Sequence, residues 1–97
     1  MLKAIVLDAK DNLGNLVGSG KKGEEVECML EGKVIQKVKL LGDIPFNHKF
    51  ALKQIKKGEA ALKYGYSIGK TTKDIAAGEY VHIHNIESNR GRGDLKK

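Results

Sequence analysis

The pair Gly-Glu recurs three times in this chain inside a similar six-residue frame: KKGEEV at 21–26, KKGEAA at 56–61 and AAGEYV at 76–81. The last two copies extend backwards to an isoleucine, as KQIKKGE at 53–59 and KDIAAGE at 73–79, twenty positions apart. Glycine supplies positive φ where a side chain would clash. Each copy therefore reads as a tight corner, with Ile55 and Ile75 plugging the core beneath and Glu59 and Glu79 bonding nearby backbone amides. Twelve glycines against one proline extend that reading to the whole chain, which turns often and is not disordered. No segment longer than about ten residues carries a helical period. The expected fold class is mostly β, with at most one or two short helical turns.

At 97 residues the chain is one domain. A domain of this size buries roughly 60–70% of its surface and has little room for a deep enclosed pocket. Phe46, Phe50, Tyr64, Tyr66 and Tyr80 are the only aromatics, so the core falls to Val, Ile, Leu and Ala. No run approaches the ~20 apolar residues that span a bilayer, and the apolar start at 1–8 is too short for a signal peptide. The single cysteine, Cys28, leaves no internal disulfide and reads as a small core residue. Cytoplasm is the default location.

Half of the formal charge of +6 sits on residues 90–97, which read as a basic flexible tail after a domain at 1–89. The body is a surface of mixed charge. The tail has no aromatic to stack on a base, so a nucleic-acid partner is not expected. Arg92-Gly93-Asp94 carries no adhesion reading in a chain without secretory features.

Between the corners, residues 3–8 read as a strand. Residues 11–15, DNLGN, have turn chemistry, and 18–23, GSGKKG, read as a flexible loop without the spacing of a phosphate loop. Residues 25–30 and 33–41 flank Glu31-Gly32 as a hairpin with one wetter face. Pro45 pushes Ile44 into an extended conformation. Residues 47–55 fit either a short strand or one to two helical turns. Residues 60–64 read as a strand closed by Gly65 and Gly69, and 79–85, EYVHIHN, give the clearest strand of all.

That last segment carries two of the three histidines, His82 and His84; the third is His48. On a strand, side chains two apart share a face, with Cα atoms about 6.5–7 Å apart. Two imidazoles so placed can converge on one metal ion, each through a nitrogen about 2.0–2.2 Å away, and His48 can be brought alongside. Glu79 would face the other way on a regular strand, and Glu87 lies beyond it. Without a matching acid, the histidines do not complete a hydrolytic or lyase site. If this surface does chemistry, something else brings the rest.

The segment IPFNHKFALKQIKKGE at 44–59, then KYGYSIG at 63–69, then DIAAGEYVHIHN at 74–85, resembles the small N-terminal domain of the altronate and galactarate dehydratase family, a domain of the SAF type with a β-clip fold. The family pattern runs Gly-His-Lys-hydrophobic-Ala-Leu, Ile-x-x-Gly, Lys-Tyr-Gly, Ile-Gly and Ala-Gly-Glu-x-Val-His-x-His-Asn. Residues 44–85 follow it in order, and the first forty follow it loosely. Asn47 stands where the family has glycine, and Lys53 and Lys70 stand where arginine is frequent.

The resemblance implies a fold, an SAF-type β-clip, and an activity. Members dehydrate sugar acids, removing water from C2 and C3 to leave a 2-keto-3-deoxy acid, and use a divalent metal, commonly iron. In several, the SAF module and the large catalytic region are separate chains, and this chain looks like that small subunit, inactive alone. A relative of the same two-part build, sulfolactate sulfo-lyase, eliminates sulfite instead. His48, His82 and His84 match family positions as metal ligands or as donors to substrate, and Lys49 is placed to meet the substrate carboxylate. Tyr64 and Gly65 shape a corner. Two other readings are a free-standing SAF module that binds carbohydrate or carboxylate without chemistry, and a nucleic-acid binder that uses its basic tail and weakens steeply with salt.

Overall fold

The computed structural model describes residues 2–82 and 84–88; the tail at 90–97 lies outside them. It contains eight strands and, among the described residues, no helix. The strands are β1 (Leu2–Val6), β2 (Leu13–Val17), β3 (Glu25–Leu30), β4 (Lys33–Lys39), β5 (Lys49–Ala51), β6 (Ala60–Lys63), β7 (Tyr66–Thr71) and β8 (Ile86–Ser88). Five form a sheet in the order β4-β3-β1-β2-β5, and three form a second sheet in the order β6-β7-β8. β1 pairs with β3 in parallel, and the other pairings are antiparallel. No described helix is long and apolar enough to cross a membrane.

Alternation along β1 and β2 divides the core in two. Ala4, Val6 and Leu16 point to one face of the larger sheet and pack with Val26, Leu40 and Phe50. Leu13 and Ala51, cross-strand partners on the opposite face, pack with Ile55, Ala61, Ile75 and Val81 under the smaller sheet. The smaller sheet therefore covers only the β2–β5 margin. Farther out on that face, Ile5 and Val17 remain 42% and 53% exposed, which leaves an open apolar shelf beside the step. Cys28 is a fully buried core residue, and burial pushes its thiol up to about 11.

The Gly-Glu frames are one repeated corner. Gly23, Gly58 and Gly78 adopt φ of 92°, 90° and 88°. Their N–H groups donate to Leu40, Thr71 and Ala51 carbonyls across the corner, at 2.8, 2.9 and 2.8 Å. Those three residues donate back to the carbonyls of Glu24, Glu59 and Glu79. The glutamate carboxylates close each corner by accepting the N–H three residues earlier, at Lys21, Lys56 and Ala76 (2.7, 2.6 and 3.1 Å). Ile55 and Ile75 exchange two 2.8 Å backbone bonds and are both buried beneath.

A fourth corner, without Gly-Glu, has the same plan at 44–48. Asn47 takes the glycine position with φ 54°, its N–H donates to Gly18, and Leu16 donates to the His48 carbonyl. Asparagine tolerates this left-handed backbone better than most side chains, and its Oδ1 accepts the Gly18 N–H at 2.8 Å. The departure from the family glycine thus leaves the backbone path intact.

Three expectations need correction. Residues 13–17 form a strand, not a turn, and Gly14 lies there because a Cβ would run into the Leu52 side chain. β7 runs through Gly69, so the break after 60–64 is only the two-residue turn Tyr64-Gly65, with φ of 59° and 77°; two positive φ values are what such a hairpin requires. Finally, 79–85 is not a strand. Tyr80 makes one isolated bridge to Phe50, and β8 begins only at Ile86. In between the chain turns, with the N–H groups of Asn85 and Ile86 both donating to the His82 carbonyl.

Candidate functional site: a histidine cluster and a cationic groove

His48 occupies the glutamate position of the fourth corner, and Pro45 explains why it can. In the other three corners the glutamate carboxylate serves the N–H three residues earlier, the position that Pro45 holds here. Proline has no N–H, so at 44–48 there is nothing for a carboxylate to close. The His48 ring instead turns back to the Phe46 carbonyl, with Nδ1 2.9 Å from it. A carbonyl only accepts, so Nδ1 carries the hydrogen and Nε2 is left for other work. In the neutral ring Nε2 is a base and ligand atom; in the protonated ring it is a donor.

The other two histidines arrive through a side chain that sequence reasoning missed. Asn85 is completely buried. Its Oδ1 accepts the His82 N–H at 2.9 Å, and its Nδ2 donates to the Tyr80 carbonyl at 2.8 Å. These bonds tie Tyr80 and His82 to the turn at His84 and Asn85, where strand alternation no longer applies. Tyr80 stands at the centre. His82 stacks on it (centroids 5.8 Å apart, planes at 11°), His48 meets it edge-on at 5.7 Å, and His84 lies against it at 5.4 Å. His48 and His82 also touch, at 5.6 Å and 70°.

The structure thus brings together all three expected histidines, around a phenol instead of along a strand face. The signals that could have found Tyr80 and Asn85 were an aromatic inside a Gly-Glu frame and a turn-forming asparagine at the end of an otherwise strand-like run.

Among the described residues, no three His, Cys, Asp or Glu side chains form a group that could hold a metal ion. The cluster can donate or accept protons and can offer individual imidazole ligands.

Lys49 lies apart from the histidines. Neighbouring residues of an extended chain face opposite ways, and Val81, whose N–H donates to the Lys49 carbonyl, belongs to the second core, whereas Tyr80 packs on the first. Lys49 shares the outer face of the larger sheet with its cross-strand partner Asn15. Burial lowers its pKa, the nearby Lys63 ammonium lowers it further, and Tyr64 opposes the shift. At the step where the smaller sheet ends lies a groove of about 260 Å³, lined by Asn15, Asn47, Lys63 and Tyr64 over Ile5 and Val17.

Comparison with known proteins matches the sequence of this chain to one family. A model described as the altronate/galactarate dehydratase SAF domain matches residues 2–89. The (2R)-sulfolactate sulfo-lyase subunit alpha of Chromohalobacter salexigens is 34% identical over 91 residues, which is 89% of this chain and 94% of that subunit. Altronate dehydratase of Bacillus subtilis is 40% identical over 89 residues, and that of Escherichia coli is 39% identical over 88. Those alignments take in 92% and 91% of this chain but 17% of each dehydratase. The chain therefore spans nearly all of the one relative and under a fifth of the other two.

Proposed function

The chain belongs to the altronate/galactarate dehydratase SAF domain family, and from that premise we propose that it is the small SAF subunit of a sugar-acid dehydratase, working in the cytoplasm and completed by a separate large catalytic chain. The carrying observation is the pair of matches: the chain is 40% and 39% identical to altronate dehydratases of which it covers 17%, and it covers 94% of a lyase chain that is itself a subunit. A hydro-lyase of this kind removes the proton at C2 of the sugar acid and the hydroxyl at C3 as water. The resulting enol then rearranges to the 2-keto-3-deoxy acid.

The C2 proton is weakly acidic, because the negative charge that builds on the neighbouring carboxylate must be stabilised. The cluster offers what that step needs from a small subunit. His48 Nε2, freed by the bond at Nδ1, can take or return a proton, and His82 and His84 can donate to developing negative charge. Asn85 and Tyr80 hold those rings in place. The divalent metal of the family, commonly iron, lacks a complete ligand set among the described residues. In this reading the histidines either donate to substrate or add to a ligand set that the large chain completes. Lys49 meets a carboxylate from the groove, on the other side of β5 from the rings.

A second reading has its own support. The match to 94% of a sulfolactate sulfo-lyase alpha subunit favours a stand-alone small subunit whose complete enzyme expels sulfite instead of water. The two readings share the site and differ in leaving group.

The test is co-purification with the large chain, followed by assay on altronate and on sulfolactate. The chain alone should be inactive, and the complex should turn over one of the two acids, which identifies the leaving group. His82→Ala and His84→Ala should each slow the complex at least about a hundredfold, in the range of a lost proton-transfer group, without lowering the melting temperature of the small subunit. Activity from the isolated chain, or full activity of the large chain without it, would sink the subunit reading. A stable complex that turns over neither acid would favour a binding module without chemistry.

A further inference from the structure

The groove has one lysine, Lys63, in its wall and a second, Lys49, beside it. Its floor is the apolar shelf of Ile5 and Val17, and its polar wall is Asn15, Asn47, Lys63 and Tyr64. Lys49 stands beside it, across the β2–β5 ladder from Asn15. Among the described residues, no carboxylate lines it.

Asp11 and Asp8, which lie against the Tyr64-Gly65 turn, are already engaged with backbone. Asp11 accepts the N–H groups of Tyr64 and Gly65 at 3.0 and 2.8 Å, and Asp8 accepts that of Lys10 at 2.8 Å. Asn47 turns its oxygen to the Gly18 N–H, which leaves its NH2 as the donor end. Lys63 Nζ lies 3.4 Å from the Tyr64 hydroxyl and 4.4 Å from the centre of its ring.

We propose that Lys49, Lys63, Tyr64 and the Asn47 amide form a binding site for a single carboxylate carried on a short, partly apolar stem. Partial burial and the nearby Lys63 ammonium disfavour the charge on Lys49, and a carboxylate held between the two lysines offsets that penalty through charge-assisted hydrogen bonds. The volume decides the size of the guest. About 260 Å³ falls below the roughly 300–1,000 Å³ of sites that enclose drug-sized ligands, so the groove takes one acid group and a few carbons. The asparagine amides and the tyrosine hydroxyl can also bond hydroxyls on that stem, as a sugar acid has; the apolar floor equally suits the methylenes of a glutamate side chain presented by another protein. The inference rests on reading Lys49 as a carboxylate contact and is independent of the reaction assigned to the complete enzyme.

The experiment is an amide NMR titration of the full 97-residue chain at fixed ionic strength, with chloride as the reference anion. One arm adds D-gluconate and the other N-acetyl-L-glutamate amide. Saturable shifts confined to Asn15, Asn47, Lys49, Lys63 and Tyr64 are expected, with Kd rising at least fivefold in Lys63→Gln and again in Lys49→Met. Tighter binding of gluconate by tenfold or more assigns the site to a sugar acid, and equal or tighter binding of the glutamate derivative assigns it to a partner's side chain. Shifts spread over all exposed lysines, shifts centred on His48 and His82, or a Kd unchanged in both variants would overturn the proposal. A failed titration would leave the dehydratase reading standing, because that reading is tested by turnover and not by this site.

Discussion

The corners at 55–59 and 44–48 follow one backbone plan and end in different chemistry. In both, the fourth residue has positive φ and donates across the corner, and the fifth accepts through its carbonyl. At 55–59 the fifth residue is Glu59, whose carboxylate is consumed 2.6 Å from the Lys56 N–H. At 44–48 the corresponding N–H does not exist, because the residue is Pro45, and the fifth residue is His48 with one ring nitrogen free. Deletion of that donor removes the backbone group that the side chain of the fifth residue would otherwise have to satisfy. The comparison also shows why the Gly-Glu pair, so visible in the sequence, marks the inert copies.

The comparison can be broken most severely at the glycines. A Cβ at Gly78 would run into the Lys39 carbonyl, whereas at Gly58 it would meet nothing within 4 Å. Both positions share the same positive φ. Gly78→Ala should therefore cost about 3 kcal/mol or more, combining backbone strain with a steric clash, and Gly58→Ala only about 1 kcal/mol. Urea denaturation of the two variants checks this; equal losses would mean that the corners are not held to the same tightness.

A smaller effect sharpens the link between Pro45 and His48. Pro45→Ala restores the missing N–H, and His48→Glu restores the carboxylate that serves it elsewhere. Together they should be more stable than the sum of the single changes by about 1 kcal/mol, the worth of one ordinary hydrogen bond. A double-mutant cycle reads that coupling directly, and a coupling of zero would show that the proline and the histidine are independent. The smallest effect is expected for Asn47→Gly. Relief of the left-handed backbone and loss of the side-chain bond to Gly18 oppose each other, so the unfolding free energy from urea denaturation should move by no more than about 0.5 kcal/mol.

The repeated corners, the β3–β4 hairpin and the buried Cys28 were all legible, because each is written in adjacent residues. What escaped was set by residues far away in the chain. Gly14 and Asn15 look like turn formers, yet they lie within a strand because the Leu52 side chain presses on Gly14 and β5 pairs alongside. The alternation of 79–85 points to a strand, yet one buried asparagine bonds the Tyr80 carbonyl and the His82 N–H in place of a ladder. The meeting of the three histidines was anticipated, but its agent was not. Tyr80 gathers them from two turns, a relation that no local spacing encodes. Lys49 sits beside His48 in sequence and on the opposite face in space, as any extended pair must.

The strand order has a consequence for how the protein is made. β2 takes β1 on one side and β5 on the other, with Leu13 meeting Ala51. At roughly 5–20 residues per second of synthesis, β2 waits several seconds for the strand that covers its second edge. During that interval a nascent chain presents an open edge, the kind of template on which chains associate. The step most exposed to misassembly is therefore the arrival of β5, the same short strand that separates the imidazoles from the lysine groove.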